Sequence, residues 1–158
     1  MQRTTILTAK MRDEFAIPLD TRQFMTILEL GDTDEAMLSI KPEYVDRILK
    51  GEKTYEFRRR IFKRHDVDTI VIYATSPKSA VVAEATIGGI LEETPEGIWE
   101  QTHDHGGIDE DGFMDYFKGS DIAYAIELSQ VTRFPEPIPL SDYAPEVKAP
   151  PQSFVYIQ

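Results

Sequence analysis

The chain has 158 residues, 41% of them hydrophobic, which fits a single globular domain with a core of its own. It contains no cysteine, which excludes disulfides, a thiol nucleophile and a thiolate zinc site. The net charge of −11 disfavours non-specific wrapping along nucleic acid, and the absence of a long apolar run or a signal-peptide pattern predicts a cytoplasmic protein without membrane contact.

The first part of the chain, residues 1–36, is predicted to be an N-terminal extension, and the sequence assigns it no structure. It holds two short apolar clusters, 15–19 and 24–30, separated by a turn-like segment. These clusters are too short for a conventional helix-turn-helix domain. Residues 37–158 are predicted to form the folded domain, including a proline-rich strap near the C-terminus.

The domain is predicted to begin with a strand from Met37 and a helix from Pro42, with apolar residues at helical spacing and a left-handed stop at Gly51. An extended segment follows, in which Glu56 and Arg58 share one face. In a regular strand Lys53 would lie on the other face. A turn over residues 51–54 must therefore bring its ammonium group round to meet them.

The segment from Gly51 to Arg60 is the predicted functional site because basic charge is concentrated around it. Residues 41–65 contain nine Lys or Arg and four acids, a net charge of +5, so the other 133 residues carry −16. A focused positive patch on an acidic body suits a phosphate-bearing partner held at one place. The alternative is a strand whose charged face is merely solvated.

The rest of the domain reads as strands interrupted by two short helices. Gly88-Gly89 marks a bulge or bend of the kind that closes small barrels. The predicted elements are strands over 69–75 and 80–91, helices capped by Thr94 and Asp109, a strand over 121–131 with alternating apolar residues, and an extended proline-rich tail from Phe134.

The loop around His103, Asp104 and His105 raises a metal hypothesis, because imidazole and carboxylate are sound ligands. No third ligand of defined spacing accompanies the pair, and a polar loop ending in glycine explains the same residues. We therefore predict no metal site and no cofactor.

The pattern Leu38-Ser39-Ile40-Lys41-Pro42, a helix, and then Gly51-x-Lys53-x-x-Glu56-x-Arg58 resembles the ASCH domain family. The resemblance covers residues 37–129 and extends loosely into the tail, where it is similar to a bacterial and phage branch labelled as predicted transcriptional regulators. It implies an α+β fold built on a small PUA-like β-barrel with flanking short helices. It also implies RNA or a nucleotide, including a modified nucleoside, as the partner, and a role in transcription or RNA metabolism.

The resemblance further implies a cleft in which Lys53, Glu56 and Arg58 meet the ligand. Arg58 can hold a phosphate or base edge bidentately, and Glu56 can accept hydrogen bonds while fixing its cationic neighbours. The expected ligand contacts are Lys53, Glu56, Arg58, Arg60, Tyr73 and Ser76.

The alternative to a binding module is a hydrolase that uses the same cleft, since some ASCH-like proteins resemble amidohydrolases of acylated cytidines and others ribonucleases. Its expected catalytic residues are Lys53, Glu56 and Glu100. A neighbouring glutamate is expected to raise the pKa of Lys53, which opposes its use as a nucleophile. A ribonuclease would draw on Glu56 with His103 or His105 as base and acid. The sequence leaves open whether any reaction is catalysed.

Overall fold

The computed structural model of the chain describes residues 35–157 and shows a mixed α+β domain with one six-stranded sheet. The strands lie in the order β2-β5-β4-β3-β1-β6, with β1 and β3 parallel and the other neighbours antiparallel. The elements are β1 (Glu35–Ile40), α1 (Pro42–Leu49), β2 (Tyr55–Arg58), β3 (Thr69–Ala74), β4 (Ala80–Glu93), α2 (Pro95–Thr102), a 3₁₀ turn (His103–His105), α3 (Glu110–Tyr116), β5 (Ala123–Ile138), α4 (Leu140–Tyr143) and β6 (Val155–Ile157).

The three helices around the site begin where their sequence signals stand. Pro42 opens α1, where the first helical residue needs no N–H donor. The hydroxyl of Thr94 caps α2 by accepting from the Gly97 N–H at 3.1 Å. The carboxylate of Asp109 caps α3 by accepting from the Gly112 N–H at 2.8 Å.

The first part of the proline-rich tail belongs to the sheet and does not form a separate strap, because β5 continues to Ile138. On one side β5 pairs with β4 along most of its length. On its other side β2 covers only residues 124–127, so the stretch that contains Pro135 and Pro137 lies beyond that strand. Proline, which cannot donate a ladder hydrogen bond, is tolerated there.

The predicted barrel is not formed, because the sheet stays open between its edge strands β2 and β6. The two edges are joined instead by a side chain. Arg58, the last residue of β2, donates to the Ser39 carbonyl of β1 at 2.9 Å and to the Ser153 carbonyl, just before β6, at 3.3 Å. The sheet therefore curls enough for one guanidinium to span the gap, and the expected α+β class with flanking helices is confirmed.

Three groups of buried apolar side chains hold the domain together, and the third supports the candidate site. That group packs α2 and α3 against β2 and β5 around Phe57, Phe113 and Phe117. The ring centroids of Phe57 and Phe113 are 5.0 Å apart in an edge-to-face arrangement. Within residues 35–157, no helix is long and apolar enough to cross a membrane. The N-terminal extension predicted over residues 1–36 lies almost wholly outside the described residues, and its boundary stays a prediction.

Candidate functional site

The turn between α1 and β2 delivers Lys53 to the site. Gly51 has φ +81°, a left-handed conformation that glycine adopts without a side-chain clash. The N–H groups of Glu52 and Lys53 both donate to the Arg47 carbonyl, at 2.9 and 3.1 Å, which tightens the turn. Lys53 therefore precedes β2 and is free of the strand's alternation, so its side chain turns toward the polar face of β2.

Three charged side chains meet at this face. The turn brings Lys53 to Glu56 and Arg58, as expected from the sequence. The Lys53 Nζ lies 3.8 Å from one carboxylate oxygen of Glu56, and the Arg58 Nη2 lies 3.1 Å from the other. Lys53 is only 3% exposed and Glu56 only 7%. Two cations thus share one carboxylate, which leaves one positive charge in excess in a poorly solvated place.

The loop after α2 holds the Lys53 side chain in position. Its Nζ donates to the Gly106 carbonyl at 2.7 Å, and the Thr54 N–H donates to the His105 carbonyl at 2.9 Å. The ammonium also lies 4.6 Å from the Phe57 ring centroid and 5.4 Å from that of Tyr44. These groups, together with the Glu56 carboxylate, replace part of the hydration shell that surrounds the ammonium of an exposed lysine.

Burial lowers the pKa of Lys53 from its usual 10.5, and the neighbouring guanidinium groups of Arg58 and Arg47 lower it further. Glu56 acts in the opposite direction but does not outweigh the loss of solvent. The expectation that the glutamate sets the net direction was therefore wrong. The cost of desolvating the ammonium, which depends on the fold, is the larger effect.

The charged face forms one wall of a cavity of about 330 Å³ beside the sheet. The cavity is bounded by the start of α1 on one side and by α3 on the other. Its polar lining residues are Ser39, Lys41, Tyr44, Lys53, Glu56, Arg58, Asp115 and Tyr116, and its apolar ones include Ile40, Phe57, Ile108 and Phe113. A cavity of this volume with a few convergent polar groups has the form of a small-ligand site.

Residues 38–137 match the family model of the ASCH domain. The chain belongs to the ASCH domain family. A curated relative, the "ASCH domain-containing ribonuclease" of Zymomonas mobilis subsp. mobilis, is 33% identical over 135 residues, which cover 82% of this chain and 88% of the relative.

Solved structures agree with this assignment to the ASCH family. The crystal structure of ASCH from Zymomonas mobilis superimposes with a TM-score of 0.73 at 32% identity, covering 80% of this chain and 90% of that one. A serine-to-alanine mutant of the same protein gives 0.73 at 31% identity with the same coverage. The fold described above is therefore that of an ASCH domain. In this chain its six-stranded sheet stays open between β2 and β6.

The ASCH signature residues Lys53, Glu56 and Arg58 all line the cavity, but the other predicted site residues do not. Arg60 and Ser76 are exposed on loops outside it. Tyr73 is buried in a separate apolar group with Met37, because its strand position points away from the site. Glu100 is exposed on α2 and is not among the lining residues, so the structure does not bring it to Lys53.

Neither histidine considered for a ribonuclease lines the cavity of this ASCH domain. His103 and His105 are exposed on the 3₁₀ turn, and the His103 ring lies against Trp99 with ring centroids 5.5 Å apart. Among residues 35–157, no three histidine or carboxylate side chains converge in a way that could hold a metal ion.

Several cavity residues of the ASCH domain were not predicted from the sequence. Tyr44 was assigned only to the helix face, although it stands just after the helix start that borders the site. Asp115 and Tyr116 end α3, and nothing in their local pattern links that helix to the charged segment about 60 residues earlier. The contacts of Lys53 with Gly106 and Gly107 join segments that are distant in sequence, so no local pattern predicts them.

Proposed function

We propose that this ASCH domain binds single-stranded RNA in the cavity beside Lys53 and cleaves it. The observation that carries the proposal is the shared carboxylate of Glu56, which neutralises only one of its two cations, Lys53 and Arg58. The surplus positive charge lines a cavity of nucleotide size and favours a phosphate.

The guanidinium of Arg58 offers a further reason to expect an anion. It lines the cavity, and a guanidinium fork matches the oxygens of a phosphate in geometry and charge. Lys41 at the start of α1 lies on the same cavity and adds positive potential.

The relative from Zymomonas mobilis named as a ribonuclease supports RNA as the substrate class, because this chain matches 88% of its length. The amidohydrolase alternative loses support because Glu100, one of its expected catalytic residues, is not among the residues that line the cavity. A role as a transcriptional regulator or a nucleotide-binding module remains a prediction from the sequence resemblance alone.

Cleavage in this cavity would proceed through the RNA's own 2′-hydroxyl. The 2′ oxygen forms a bond to the adjacent phosphorus while the bond from phosphorus to the 5′ oxygen breaks. The lowered pKa of Lys53 enlarges the fraction of molecules in which Lys53 is neutral, while Arg58 and Lys41 still hold the phosphate. In that fraction Lys53 accepts the 2′ proton and regains its positive charge beside the phosphate. Arg58 balances the charge that develops on the non-bridging oxygens.

The leaving 5′ oxygen needs a proton, and we assign that step to the hydroxyl of Tyr44. It lines the cavity, and the Lys53 ammonium lies 5.4 Å from its ring centroid. Burial raises the pKa of the phenol, so the group stays protonated and able to donate. Lys53 then gives its proton to solvent and Tyr44 takes one from solvent, so the site is restored and the products are a 2′,3′-cyclic phosphate and a free 5′-hydroxyl.

The test uses a short end-labelled single-stranded RNA, the DNA of the same sequence, and an RNA with one 2′-deoxyribose at the cleaved position, all in the presence of a chelator. The proposal predicts that only the unmodified RNA is cut at that position, with a cyclic phosphate end. Cleavage of the DNA or of the deoxyribose-substituted link would overturn the mechanism. Tight RNA binding without product, both with the chelator and with Mg²⁺ in its place, would leave a binding module and overturn the ribonuclease.

A further inference from the structure

Helix α3 contributes an aromatic ring and a carboxylate to the cavity wall, and the guanidinium of the residue after β2 lies over that ring. We propose that Arg59 and Tyr116 form a stacking subsite for one unpaired base of the RNA, and that Asp115 selects a base bearing an amino group. This inference rests on the proposed function and specifies which part of the substrate the cavity recognises.

The Tyr116 ring is held in place and offered to the cavity at the same time. It is half-buried, and it makes an edge-to-face contact with the buried Phe117, with ring centroids 4.8 Å apart. The same residue lines the cavity. A ring fixed on a rigid helix end loses little conformational freedom when a base stacks on it.

Arg59 completes the subsite. Its guanidinium carbon lies 4.9 Å from the Tyr116 ring centroid, while the side chain remains exposed. At 4.9 Å the guanidinium and the ring leave no room for a base between them, so a base stacks on an outer face of the pair. Every type of base has such a π-face, so this contact alone does not choose the base.

The subsite lies close to the phosphate position because Arg58 and Arg59 are consecutive residues. Their Cα atoms are about 3.8 Å apart, less than the length of one nucleotide. Arg58 points into the cavity, where it contacts Glu56, and Arg59 covers Tyr116 at its edge. A single RNA strand can therefore place a phosphate on Arg58 and stack a base on Tyr116. That base belongs to the same nucleotide as the phosphate or to the next one.

Asp115 gives the subsite a preference. Its exposed carboxylate lines the cavity and has no ion-pair partner in the part of the chain that the structure describes. A carboxylate repels a phosphate, so its place here fits a group that donates hydrogen bonds. Guanine, adenine and cytosine each carry an amino group, whereas uracil has carbonyl oxygens at the corresponding edge and offers a poorer match.

The decisive experiment compares short single-stranded RNAs, one intact and a set in which a single position lacks its base, by fluorescence anisotropy. All carry 2′-O-methyl groups, so that they cannot be cleaved through a 2′-hydroxyl. Tyr116→Ala should weaken binding of intact RNA about 10-fold, in line with the loss of one stacked base. Tyr116→Phe should bind like the wild-type protein. For the RNA that lacks the stacked base, Tyr116→Ala and the wild-type protein should have equal affinities, which also establishes that the variant is folded.

Arg59→Ala should give the same pattern as Tyr116→Ala, and Lys118→Ala, an exposed cation two residues beyond the ring, should bind like the wild-type protein. The preference of the wild-type protein for oligocytidine over oligouridine should fall about 10-fold in Asp115→Asn.

If Tyr116→Ala weakened the affinity for every abasic RNA by the same factor, or weakened no affinity at all, the subsite would be overturned and RNA binding itself would stand. An unchanged base preference in Asp115→Asn would overturn the assigned selection. A wild-type protein that binds none of these RNAs would instead overturn the proposed function itself.

Discussion

The backbone of Gly107 lies directly against the side chain of Lys53. A Cβ atom added to Gly107 would be 2.7 Å from the Lys53 Cβ, closer than two such atoms can approach. Gly107 also has φ +68°, and its carbonyl accepts a hydrogen bond from Arg47, so the loop is fixed to α1 as well as to the lysine. The position of the buried ammonium therefore depends on a glycine that is distant in sequence.

Gly107→Ala should destabilise the domain and displace Lys53. Gly119→Ala is its matched control, because Gly119 has φ +85° but a Cβ added there would meet no atom within 4 Å. Both variants should lose about 1 kcal/mol of unfolding free energy for the left-handed backbone. Only Gly107→Ala should also lose RNA cleavage, measured at a temperature where both proteins are folded. Equal rates of RNA cleavage by the two variants would mean that the contact between Gly107 and Lys53 does not position the lysine.

Glu56→Gln should lower the free energy of unfolding by about 3 kcal/mol or more, because it leaves two buried cations without their shared negative charge. Urea denaturation followed by circular dichroism measures the change. Asp66→Asn is the control, since the Asp66–Arg64 pair is exposed and its loss should leave the midpoint unchanged. A midpoint for Glu56→Gln equal to that of Asp66→Asn would mean that the site is better solvated than the structure indicates.

The lowered pKa of Lys53 predicts how stability depends on pH. Between the folded-state pKa and 10.5, the unfolded chain binds more protons than the folded one, so the free energy of unfolding rises with pH. Lys53→Met removes this titration. The stability of the wild-type protein relative to Lys53→Met should therefore increase from about pH 7 toward pH 10. Tyr44, whose pKa burial raises, acts in the opposite direction only above its usual value of 10.0.

Denaturation curves of both proteins at several pH values below about 10 provide the measurement. A stability difference that stays constant over this range would show that Lys53 titrates normally in the folded protein. A difference that shrinks as the pH rises would mean that Glu56, not burial, dominates its pKa.

Arg58→Lys should loosen β6, because a single ammonium cannot reproduce the fork that binds Ser39 on β1 and Ser153 before β6. Amide hydrogen exchange in Val155–Ile157 should become about 10-fold faster, equivalent to the loss of roughly one hydrogen bond. Arg59→Lys, at the neighbouring position, should leave exchange in β6 unchanged. Equal exchange in the two variants would mean that β1 alone holds β6 in place.

Local signals in the sequence were sufficient for the elements around the site. Proline at a helix start, the caps Thr94 and Asp109, and the left-handed Gly51 all act within a few residues, and each stands where the structure needs it. The turn that brings Lys53 toward Glu56 and Arg58 was predictable for the same reason, but the loop around Gly107 that fixes the lysine was not.

Features that depend on distant parts of the chain were not predictable in this way. Whether the sheet closes depends on how its edges approach, and here Arg58 bridges them without strand pairing. The direction of the Lys53 pKa shift depends on burial under a loop that the local pattern does not place. Tyr73 and Glu100 have suitable chemistry, but the strand register and helix position direct them elsewhere.

The central claim is that Lys53 serves an RNA-cleaving cavity. The most direct measurement is single-turnover cleavage of a labelled single-stranded RNA by the wild-type protein, Lys53→Met and the control Lys50→Met, whose lysine is exposed at the end of α1. The wild-type protein and Lys50→Met should cleave at equal rates, and Lys53→Met should be slower by about 100-fold or more, the contribution expected of a general base. Equal cleavage by the folded Lys53→Met variant would contradict the account.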